Sequence, residues 1–213
     1  SSTSAQFTMT GGSIVIRAEG GGGTQDLGYV NTGPSSPVVT GGTLQIGNSS
    51  TPASQTISIN STVPVPALQL NSNNVIARLI TNSLSVVNGI TVASGTLNSN
   101  NLAIALGGDW SNSGLFVPGT STVVFNGNAP QSLSKTGGET FRNLVFTGSG
   151  VKTFGSAVTC TGSFDIRSGS QVDVGVSSHA MSVAGSFVHN GTFICRSGLV
   201  TLNGSSQQSI NGT

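Results

Sequence analysis

Six carboxylates, two histidines and two cysteines are the first residues to ask for acid–base or metal chemistry in this chain of 213 residues. A hydrolase or lyase needs convergent carboxylates, or a basic group beside them, commonly with a metal. The acids are Glu19, Asp26, Asp109, Glu139, Asp165 and Asp173. Asp165 and Asp173 fall on successive rows of strand-like text, which makes them the pair best placed to meet on an outer surface. Isolated acids of this kind are usually solvated surface charges, so we expect no catalytic residue and no enzyme.

His179 and His189 have no cysteine or acid near them at ligand spacing, so no metal site and no cofactor are expected. The run EGGGGTQD, beginning at Glu19, has neither the lysine nor the helix that a phosphate-binding loop requires, nor the regular aspartates of a calcium-binding β-roll. Cys160 and Cys195 alternate with Val158 and Phe193, which predicts that both point inward, as buried free thiols rather than a disulfide. Trp110 follows a glycine-rich turn and could stack on a sugar if exposed, but its repeat partner is Phe187, which points to a shared core column. Tyr29 is then the better candidate for an exposed aromatic contact. Threonines are plentiful but do not recur at one position in each row, so a flat hydroxyl-ranked face is not expected.

The elements that carry these residues are short strands. Runs such as SIVIRA, TLQI, TISI, TVVF, NLVF and LVTL are bounded by Gly, Asn and Ser clusters, and no segment sustains a 3.6-residue apolar period with a cap and a stop. The segment from Gly108 to Thr136 aligns without a gap on that from Gly185 to Thr213, with nine identities in 29 positions, among them Gly108/Gly185, Phe116/Phe193, Gly127/Gly204 and Gln131/Gln208. The last third of the chain falls into rows that begin at Val151, Gln171 and Thr192, each holding two or three strands. An immunoglobulin-type sandwich also uses short strands and Gly-rich turns, but it needs no fixed internal period. The expectation is therefore an all-β chain: a parallel β-helix (β-solenoid) with coils of about 20–22 residues over 41–213, preceded by an irregular strand/loop segment over 1–40. Phe154, Val174 and Cys195 should form one interior column, and Phe164 and Phe187 part of another.

Composition fits that picture. Only 6% of residues are charged and the net charge is +1, which gives no general attraction to nucleic acid or to an anionic membrane. The 35% of hydrophobic residues, set in short Val, Ile, Leu and Phe runs, opposes disorder. No apolar run approaches the roughly 20 residues that span a membrane, so no membrane insertion is expected. The chain starts without an initiator Met and stops at QQSINGT, where the upstream copy runs on, which suggests an excerpt of a longer protein.

The succession GDWSNSGLF, VVFNGNAPQSLS, TFRNLVF, GVKTF, GSFDIRSG resembles the repeats of very large secreted surface proteins of the Bacteroidota, with the pattern G-x-W-x-N-x-G-x-F, V-x-F-N-G, Q-x-I, F-x-N-L. The resemblance covers roughly residues 38 to 213. It implies export by the type IX route, a cell-surface or extracellular location, and a role as adhesin, gliding-associated protein or filament part. The implied partners are other copies or neighbouring repeats, and surface glycans. The second copy departs from the pattern, with Phe187 in place of Trp and His189 in place of Asn.

Overall fold

A computed structural model describes residues 7–20, 26–29 and 36–212. Every regular element in them is a strand, and every ladder is parallel. The strands stack in about eight coils as a β-solenoid of three faces. The first face runs from Thr8–Ile16 through Val38–Ile46, Trp110–Asn112, Gln131–Lys135, Val151–Phe154 and Gln171–Asp173 to Thr192–Ile194. The third runs from Leu84–Val86 through Thr122–Phe125, Asn143–Phe146, Phe164–Ile166 and Phe187–His189 to Ile210–Gly212. The second face has an N-terminal part, ending at Leu115–Val117, and a C-terminal part of Glu139–Phe141, Val158–Cys160, Met181–Val183 and Val200–Leu202.

Parallel stacking follows from the sequence pattern. Alternate residues of each short strand are apolar and point inward, where each meets its counterpart one coil on. Leu144 pairs with Phe164 and Phe164 with Phe187. The last two rings lie 5.3 Å apart and are nearly parallel, at 3°. Phe146 extends the aromatic stack at 5.3 Å from Phe164. The expected rows are in register, since Val151 pairs with Gln171 and Gln171 with Thr192. Coil length varies more widely than the rows suggest: the step from Ile104 to Val123 is shorter than any of them, and that from Leu44 to Leu68 is longer.

The strands Leu68–Leu79 and Ile90–Asn98 are long because each bends from the first face onto the second without interruption, with register shifts at the bend. Gly95 makes one such corner at φ 81°, and a Cβ there would collide with the Ser72 carbonyl oxygen. Only glycine accepts both conditions. The strand of the N-terminal strand/loop segment is Thr8–Ile16, nine residues long, and it pairs in parallel with Val38–Ile46.

The repeat does not superimpose coil on coil. Trp110 lies on the first face and Phe187 on the third; Phe116 lies on the second and Phe193 on the first; Phe125 lies on the third and Leu202 on the second. Each copy therefore advances three coils and two further faces. What the repeat conserves is a local fold. Gln131 accepts from the Gly127 N–H at 2.8 Å and donates to the carbonyls of Leu106 and Gly108. Gln208 accepts from Gly204 and donates to Val183 and Gly185, the same atoms one repeat later, at a different corner of the solenoid. Trp110 and Phe187 are both core residues, at 0% and 6% exposure, but the shared column expected of them is corrected: they fill different walls.

Candidate functional site

The C-terminal part of the second face is not hydrogen-bonded to the N-terminal part. Among the described residues no ladder joins Leu115–Val117 to Glu139–Phe141, although the other two faces run through the same level unbroken. A polar cluster fills this gap. Trp110 and Asn112 come from one strand, both inward by alternation. Lys135 ends the strand one coil on, as the register partner of Asn112. A tight turn through Gly137 and Gly138, at φ 84° and 97°, then returns the chain so that Glu139 also points inward.

Glu139 is 2% exposed and fully engaged. Its Oε2 accepts from Trp110 Nε1 at 2.9 Å and from Asn112 Nδ2 at 2.6 Å. Its Oε1 accepts from Lys135 Nζ at 3.3 Å and from the Thr140 N–H at 3.1 Å. Asn112 Oδ1 accepts in turn from the Gly114 N–H at 2.9 Å. Trp110, Phe116 and Phe141 close the inner side with ring centroids 4.8–5.7 Å apart. Four donors around one buried carboxylate compensate its desolvation, as a buried charge requires. On the outer side a groove of about 650 Å³ opens to solvent, lined by Asn112, Lys135, Ser134, Ser156, Gly138 and His179 among others.

The acidic pair favoured from the sequence is not brought together. Asp165 is on the third face beside Arg167, at 3.2 Å, whereas Asp173 is on the first face, with both oxygens 2.6 Å from Arg196. The Arg196 hydrogen bonds hold the Asp173 carboxyl below the usual carboxylate range, assisted by the Gly175 N–H and opposed by partial burial. Glu19 and Asp26 accept from the N–H groups of Thr56 and Ser58 and fasten their segment to the strand Gln55–Ser61. Asp109 accepts from the Ser132 N–H at 2.6 Å. Each described acid thus serves a backbone or arginine contact. No cluster of three His, Cys, Asp or Glu that could hold a metal occurs among the described residues.

Cys160 is buried, and burial pushes its thiol up to about 12. Cys195 corrects the expectation of two buried thiols. The ladder continues from the Val174 N–H to the Ile194 carbonyl, which places Cys195 over Val174 and Phe154, but it lies on the last described coil and is exposed. The threonine expectation also needs correction. Thr140, Thr159, Ser182 and Thr201 are successive register partners and form one rank of hydroxyls on the second face. The backbone of Tyr29 pairs with Ser61, but its side chain, like most of the tetraglycine run, lies outside the described residues.

The site itself was not singled out by sequence reading, although a signal was present. Alternation about Phe141 makes Glu139 an inward residue, and alternation about Trp110 does the same for Asn112. A charge at an inward position demands a partner. Against known proteins, the chain matches no family model, no curated protein and no solved structure.

Proposed function

We infer that the chain is a noncatalytic structural segment of a large secreted cell-surface adhesin or extracellular filament, serving as a stiff stalk and self-association surface. The observation that carries this reading is the repeated corner clamp of Gln131 and Gln208 within uninterrupted first and third faces. A local unit that docks on whichever face it reaches can extend a rod indefinitely along its axis without enlarging its core. The strands Thr192–Ile194, Val200–Leu202 and Ile210–Gly212 each end a sheet, and Leu199, Leu202 and Ile210 beside them are exposed. Such edges offer unpaired backbone groups to a second copy.

Cryo-electron microscopy of the purified chain tests this reading. Rods that lengthen by end-to-end contact are expected; dispersed monomers at high concentration would remove the self-association part of it. A second reading, a carbohydrate-binding module, draws on the hydroxyl- and amide-lined groove beside Lys135. Saturable binding on a glycan array, lost on filling the groove with Ser156→Trp, would favour it.

A further inference from the structure

We propose that Lys135 and Asn112 become joined by an intramolecular amide bond, formed with Glu139 as the proton carrier, which covalently ties two coils where the second face lacks its hydrogen-bond ladder. The two residues are register partners on adjacent rungs, which stack about 4.8 Å apart, so their side chains leave the strands side by side on the same surface. Both already bind one carboxylate, Lys135 Nζ on Oε1 at 3.3 Å and Asn112 Nδ2 on Oε2 at 2.6 Å. The nucleophile, the leaving group and the base that connects them are thus held in one cluster, and proximity of this kind lowers the barrier to an otherwise slow reaction.

The atoms balance without a co-reactant. Lys135 Nζ gives a proton to Glu139, and the amine lone pair adds to Asn112 Cγ. The C=O electron pair moves onto Oδ1, where the Gly114 N–H already donates at 2.9 Å and opposes the developing negative charge. As the carbonyl re-forms, the Cγ–Nδ2 bond breaks. Glu139 carries two protons in all from the lysine nitrogen to the departing nitrogen, which leaves as ammonium. A secondary amide remains, nothing is oxidised or reduced, and the carboxylate is regenerated.

Trp110, Phe116 and Phe141 wall the carboxylate on its inner side, and Lys135 Nζ stands 3.3 Å from its Oε1, within reach for the first proton transfer. Asn112 and Lys135 also line the outer groove, which gives ammonium a way out. The molecule contains its own control. The equivalent positions in the second copy are His189 and Gly212, which are register partners just as Asn112 and Lys135 are but can form no amide.

Intact-mass spectrometry of the folded chain decides the matter, with circular dichroism to verify β structure. The wild type is expected to weigh one ammonia less than its composition, to resist tryptic cleavage after Lys135, and to yield a branched peptide joining the Asn112 and Lys135 segments. Glu139→Gln should restore full mass by removing the proton carrier. Lys135→Arg, which keeps the charge and the ion pair and so preserves the fold, should also have full mass. Folded wild type of full mass, cleaved normally after Lys135, overturns the proposal, as does undiminished mass loss in Lys135→Arg. The readout is chemical, so its outcome is independent of whether the chain forms a stalk.

Discussion

Replacing Gln131 with leucine should destabilise the solenoid far more than the same change at Gln208, although the two clamps are atom-for-atom equivalent. Leucine nearly preserves side-chain volume, so the effect isolates the polar contacts. Gln131 is 2% exposed, and its loss leaves the Gly127 N–H without its acceptor and takes one donor each from the carbonyls of Gly108 and Leu106, the latter keeping the Asn126 N–H. At about 1 kcal/mol for each lost bond, the cost is about 3 kcal/mol. Gln208 makes the same three bonds at 2.7–2.8 Å, but they are only partly buried, so water replaces much of what is lost and about 1 kcal/mol is expected. Urea unfolding followed by the single tryptophan, Trp110, reports on the coil that pairs directly with Gln131–Lys135. Hydrogen exchange adds coil-by-coil resolution where unfolding is not two-state. Equal losses at the two positions, or less than about 1 kcal/mol at Gln131, would refute the claim that these glutamines hold the corners.

Lys152 occupies the slot one coil above Gln131, where its buried amine donates to the carbonyls of Gly127 and Gly148 at 3.0 and 2.8 Å, and burial holds its pKa below the ordinary lysine value. Lys152→Gln should therefore stabilise the fold by about 1 kcal/mol at neutral pH, by removing a desolvated charge. Because the unfolded chain binds the extra proton between the lowered and the ordinary value, wild-type stability should rise with pH across that window and the variant's should not; matching pH profiles in thermal melts would contradict this. Asp173 has the opposite sign. Its lowered pKa contributes stability that is present above the ordinary aspartate value and lost as pH falls through the folded one, so Asp173→Asn should flatten the melting-temperature profile below about pH 4, and an unchanged acid limb would discount the Arg196 clamp.

Much of the architecture was legible in the residues. Short apolar alternations between Gly, Asn and Ser turns can bury themselves only by stacking on copies of themselves, and this determined an all-β parallel solenoid, the register of its last rows and the Phe164–Phe187 contact. The repeat was legible too, because identical local geometry needs identical glycines and glutamines. Its relation to the coils was not. Whether one repeat closes a whole number of turns depends on corner lengths summed over several coils, and the tertiary structure sets that at three coils and two faces, so that Trp110 and Phe187 part company.

The rest was decided by neighbours in space. Asp165 and Asp173 are close along the chain, yet a corner separates their faces and an arginine meets each of them. Lys135 and Glu139 are close in sequence, but Trp110 and Asn112 reach them only because the coil below lies directly in register. Cys160 and Cys195 share an alternation pattern and differ in burial because a further coil covers one and not the other in the described stack. Sequence alone determined what each residue can do and which way its strand turns it. The stacking of distant coils determined what it faces, because in a solenoid each contact beyond the local turn is made about one coil away along the chain.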